Sequence, residues 1–221
     1  MRVLPSIPLL VTVLLVGCTG MPETIHATRV EIGETAVLGG RDVLVFGRVV
    51  FTRNGVDMRP YGQLDQPLWQ LATPETTSAA ADATRRVIPF LTTGEDGRFA
   101  YVIPAGRYEM SHAQPMNHMP HIDPARAFDA PTPCRAYYLG DLEVGIEAFS
   151  WLGGLWGNYI DRVTRVEVAD RLDAGLGRFT GCDGGPEPVL RALLAPIPGR
   201  AADLKSSDLA TFMSIFSGGL R

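Results

Sequence analysis

Hydrophobic and polar positions alternate along this chain in short runs of the kind that form strands. The clearest run is Thr92–His112, T-T-G-E-D-G-R-F-A-Y-V-I-P-A-G-R-Y-E-M-S-H. Glu95-Asp96-Gly97 marks a turn, after which Phe99, Tyr101 and Ile103 fall on one face of an extended segment. Pro104 and Gly106 suit the second and fourth positions of a type I turn. Tyr108, Met110 and His112 then share one face again. The pattern predicts a half-buried antiparallel hairpin with Tyr108 in the core. Upstream, Val43–Phe51 is almost continuously apolar, as expected of a strand covered on both faces, and Asn54-Gly55 closes it with a favoured hairpin pair. Gly47 inside that run predicts a bulge or a close backbone approach.

The same reading extends to the rest of the chain. Residues 24–38 predict one or two early strands, with Gly39-Gly40 as the turn that follows. Further strands are predicted at Leu64–Leu71, Arg86–Leu91, Arg135–Ile146 and Arg162–Val168. In the third of these, strict alternation puts Tyr138, Gly140, Leu142 and Val144 on one face and Tyr137, Leu139 and Asp141 on the other. In the last it groups Thr164, Val166 and Val168. Thr73–Ala83 is small and polar and reads as a loop. Prolines at 115, 120, 124, 131 and 133 predict a long loop over 113–133 without regular structure. Short helices are predicted at Asp170–Phe179, Glu187–Ala195 and Leu209–Phe216, the last capped by Ser207-Asp208. Phe149–Ile160, F-S-W-L-G-G-L-W-G-N-Y-I, has two readings. It either buries Trp151 and Trp156 as a strand pair or presents them to a bilayer or a partner protein.

Three segments carry a family likeness. V-F-G-R-V (Val45–Val49), G-E-D-G-R-F (Gly94–Phe99) and P-A-G-R-Y-E-M (Pro104–Met110) resemble the transthyretin-like, carboxypeptidase-regulatory-like β-sandwich modules. The resemblance implies a mainly β fold, an antiparallel β-sandwich of the transthyretin or Ig-like kind, with the predicted helices at its periphery. It also implies an accessory binding or structural role without catalytic residues. The chain departs from the family pattern by the insertion Val56–Val87 and by a C-terminal extension.

The N-terminus supplies an address. Met1-Arg2 is a short positive segment, Val3–Val16 is apolar, and Leu15-Val16-Gly17-Cys18 resembles a bacterial lipobox. That resemblance implies removal of residues 1–17, diacylation of the Cys18 thiol and acylation of the new amine. Thr19 rather than Asp after the cysteine implies sorting to the outer membrane, facing the periplasm, with the inner membrane as the alternative. Residues 18–24 form a tether; if structure begins near Ile25, about six residues reach about 20 Å at most. Residues 25–221 are long enough for one core.

Composition narrows the function classes. The 221 residues carry a net charge of −4 with no basic cluster, which argues against phosphate-backbone binding to nucleic acid. Lys205 is the single lysine. Cys134 and Cys182 are the remaining thiols, and an even pair in an oxidising compartment predicts a disulfide. Met110, His112, Met116, His118, Met119 and His121 fall within twelve positions, and thioether with imidazole is a ligand set suited to copper. Ser111 or Ser150 with a histidine and an aspartate could compose a hydrolase triad, yet no G-x-S-x-G elbow occurs. The expectation is a lipid-anchored envelope protein acting as a non-enzymatic binding or structural module, with an envelope protein complex as its candidate partner. The alternatives are a periplasmic copper binder and a hydrolase.

Overall fold

A computed structural model describes residues 23–31, 36, 38–62, 66–74, 86–114, 121–149, 160–172, 179–185 and 187–204. The signal segment, Cys18 and the helix expected at Leu209–Phe216 lie outside these residues, as does nearly all of the loop expected at Thr73–Ala83. The described residues are mainly β and contain no helix. In chain order the strands are β1 (Glu23–Thr24), β2 (Thr28–Arg29), β3 (Asp42–Arg53), β4 (Val56–Asp57) and β5 (Leu68–Ala72). They continue with β6 (Arg86–Thr92), β7 (Arg98–Pro104), β8 (Gly106–Gln114), β9 (Ile122–Asp123) and β10 (Arg126–Ala130). The last are β11 (Ala136–Phe149), β12 (Ile160–Ala169), β13 (Val189–Arg191), β14 (Ala195–Pro196) and β15 (Asp203–Leu204). One sheet runs β1-β6-β5-β8-β10-β14, with β9 beside β8 and β15 beside β9. The other runs β12-β11-β3-β7-β2, with β13 beside β11 and β4 beside β3. Among the described residues pairing starts at Glu23, two residues before the expected Ile25.

Both sheets feed one core. Val43, Val45, Val49 and Phe51 of β3 meet Trp69, Leu71, Ile88, Tyr108, Met110 and Phe128 from the opposite sheet. The apolar run of β3 is continuous because its other face is covered too. Leu44 and Phe46 join Ala136, Tyr138 and Ala100 in a second cluster, roofed by Ala36, Leu38 and Phe179. The expectation at Gly47 is met. A Cβ there would lie 2.6 Å from the Gly140 carbonyl oxygen, so only glycine lets β3 and β11 approach.

The hairpin expected across Pro104 is not formed. β7 pairs with β3 and β2, whereas β8 pairs with β5, β9 and β10 in the other sheet. The physical reason lies in the turn. Two-residue hairpins use primed turns with positive φ, and Pro104 locks φ near −65°. Unprimed turns splay the strands they join, and here the splay carries the chain from one sheet to the other. The corner is held by Ala105 N–H donating to the Arg41 carbonyl at 2.9 Å and by the Tyr108 hydroxyl donating to the Pro104 carbonyl at 2.8 Å. Asn54-Gly55, with φ of 52° and 78°, does close a hairpin, between β3 and β4.

Strict alternation fails wherever a strand carries an extra residue. β8 gains one at Ser111, between Met110 opposite Leu71 and His112 opposite Gln70. Met110 therefore points into the core and His112 to the far face, correcting the expectation that they share a side. β11 shifts register between Tyr138 and Asp141, where Gly140 has φ +92°. Tyr137, Leu139, Leu142, Val144 and Ile146 consequently all face the main core, while Tyr138 turns to the second cluster. β12 carries its extra residue at Thr164, so Val163, Val166 and Val168 pack inward and Thr164 is exposed.

Two further expectations are corrected. The segment 113–133 is not wholly irregular: five of the six residues between Pro124 and Pro131, Arg126–Ala130, form β10, fully paired with β8. Proline is tolerated at strand ends, and this gap is long enough for a strand. The helix expected at Glu187–Ala195 is absent; Val189–Arg191 instead pairs parallel with β11, and Ala195-Pro196 pairs at an edge with β10. Asp170–Leu172 and Phe179 are not helical, and the rest of the helix expected there lies outside the described residues. Cys134 and Cys182 are disulfide-bonded, with Cα atoms 5.3 Å apart. The bond and an Arg135–Glu187 ion pair fasten the segment after Phe179 beside the second cluster.

Candidate functional site

The bulge at Ser111 creates the most distinctive polar site among the described residues. Past it, β8 presents His112 and Gln114 on the face away from the core. Ala113 pairs with Ile122, both fully buried, and this single pairing returns the chain so that His121 stands beside β8. The imidazole rings of His112 and His121 sit with centroids 4.9 Å apart, edge to face. They share a cleft of about 290 Å³ with Leu68, Trp69, Gln70 and Gln114. Two borderline nitrogen bases beside two amides can take a soft or borderline cation, or hydrogen-bond a polar ligand against the apolar wall of Leu68.

The expected copper set is thus divided. His112 and His121 come together, whereas Met110 is fully buried on the opposite side of β8 and is not available to the same ion. Met116, His118 and Met119 lie outside the described residues, as do Trp151, Trp156 and Ser150. Among the described residues no three His, Cys, Asp or Glu side chains converge as a metal-ligand group.

The buried carboxylates are engaged elsewhere. Asp123 accepts from the Ala125 N–H at 2.9 Å and from the Arg200 guanidinium, which also reaches Glu109 at 3.1 Å. Asp141 accepts from the Tyr138 hydroxyl at 3.0 Å. That phenol is pushed up to about 12, chiefly by burial, and stays neutral. The Arg126 guanidinium, lowered by burial, was not singled out from the sequence; an arginine between prolines has no motif to announce it. No family model, no curated protein and no solved structure matches this chain.

Proposed function

We propose that the chain is a lipid-anchored envelope protein, tethered at Cys18 to the outer membrane and facing the periplasm, that serves as a non-enzymatic binding or structural module. The observation that carries this reading is the Cys134–Cys182 bond, which belongs to an oxidising compartment and agrees with the export signal ending at Gly17-Cys18. Engagement of Asp123 by Arg200 and of Asp141 by Tyr138 supports binding over acid–base catalysis. A transthyretin-like sandwich is the finer form of the fold, supported by a core drawn from both sheets. Metabolic labelling with a fatty-acid analogue tests the anchor: Cys18→Ala should remove the label and leave an unprocessed precursor. A labelled, membrane-retained variant would end the proposal.

A second reading rests on the paired imidazoles. Copper held by His112 and His121 would make the cleft a weak copper site. About one copper per chain is expected, lost when His112→Ala and His121→Ala are combined. Uptake unchanged in the double variant would refute it.

A further inference from the structure

A second cleft, of about 280 Å³, opens where β10 and the chain after β14 meet β12. Arg126, Arg165 and Arg200 line it with Thr164, and among the described residues no acidic side chain does. These residues come from distant parts of the sequence, and in an acidic chain such a concentration of guanidinium groups calls for a reason.

The three cations are not equivalent. Arg200 is tied to Asp123 and Glu109, and Arg165 lies 3.3 Å from Glu143 and 3.8 Å from Glu167. Arg126 has no carboxylate partner among the described residues. Its Nη2 donates to the Val166 carbonyl of β12, and its Nε is shut from solvent with no acceptor. A guanidinium does not shed its proton to escape burial, so among the described residues this charge stands without a counter-ion. Burial alone pulls its pKa down, as expected where nothing offsets the lost hydration. The bulge at Thr164 re-aims a hydroxyl-bearing residue at the rim of the same cleft, a placement that regular alternation would not give.

We propose that this cleft is a subsite for one small phosphate-type oxyanion, held by Arg126 with help from Arg165, Arg200 and the Thr164 hydroxyl. The guanidinium N–H groups not turned to Val166 can give charge-assisted hydrogen bonds to phosphate oxygens, and the volume admits a phosphate with little more than a glycerol-sized substituent. The same chemistry could come from a free phosphate or from a phospholipid headgroup at the membrane surface. The subsite goes beyond the binding-module reading by naming a ligand.

Calorimetric titration of the full chain tests it, with inorganic phosphate as first probe and dihexanoyl phosphatidylglycerol, below its micellar concentration, as second. Ionic strength is matched with chloride. One saturable site is expected, and Arg126→Gln should weaken it about tenfold or more. General salting-out would instead act alike on wild type and variant. Should Arg126→Gln fail to fold for want of its tie to Val166, Arg165→Gln takes its place, with a severalfold loss expected. Tighter binding of the lipid assigns the site to a headgroup, and tighter binding of phosphate assigns it to a free anion. No saturable heat from either probe in the wild-type chain, or equal affinity in the variant, overturns the proposal. Either result leaves the Cys18 labelling outcome untouched, so the two readings fail separately.

Discussion

Tyr108 shows how much rests on one side chain. It is 2% exposed, stacks on Phe128 at 5.6 Å, and its hydroxyl holds the carbonyl of Pro104 at the corner between the sheets. Tyr108→Ala should cost roughly 3–5 kcal/mol in chemical denaturation. Tyr108→Phe, which removes only the hydroxyl donor, should cost about 1 kcal/mol. The same residue contributes to a pH effect. Burial pushes Tyr61, Tyr108 and Tyr138 each up to about 12, whereas an unfolded tyrosine ionises near 10. The unfolded chain therefore releases these protons first. Stability from this source is complete below pH 10 and is lost as pH rises from about 10 through about 12. With Lys205 the single lysine, alkaline titration reads chiefly the tyrosines. The urea midpoint should stay level from neutral pH to about 9.5 and fall above 10. Burial of Tyr108 was legible in the sequence because an aromatic amid alternation has few other places to go. The pairing of His112 with His121 was legible as a local cluster. The arginine cleft was not, since nothing in sequence marks three side chains that meet only after folding.

Strand identity was legible and strand facing was not. A continuous apolar run located β3, and shorter strand-like runs located β5, β6, β7, β8, β11 and β12, several of them through the period of two that pleated backbone forces. The extra residues at Ser111 and Thr164 carry no compositional signature, so His112 unexpectedly leaves the face of Met110, and Thr164 that of Val166 and Val168. Pro104 held the correction in plain view, since a residue fixed at negative φ cannot lead a primed turn. Gly140 is the partial exception among the irregular sites, as its left-handed backbone asks for glycine. Its neighbour across the ladder supplies the test at this scale. Gly47→Ala would place a methyl 2.6 Å from the Gly140 carbonyl and 3.0 Å from the Phe99 ring. The strands must part or the ring must move, and a loss of about 1–3 kcal/mol is expected in equilibrium unfolding. An unchanged midpoint would mean that β3 and β11 are not so closely apposed.

For the whole molecule, the Cys134–Cys182 bond joins positions 48 apart and fastens the cover of the second cluster. Replacing both cysteines by serine should lower stability by up to about 4 kcal/mol, from the loop-closure entropy returned to the unfolded chain. Reduction should expose amides around Phe46 and Tyr138 to hydrogen exchange before those of β8. The parallel pairing of β3 with β11 has a different consequence, one of timing. Leu44 and Ala136 are neighbours in the sheet yet stand about ninety residues apart in the chain. A growing or translocating polypeptide must hold the apolar edge Val43–Phe51 open until its distant partner arrives, which makes for slow, late-committing folding. Until then that edge is a template for any other extended chain nearby, and a product that stops short of Ala136 is left permanently sticky.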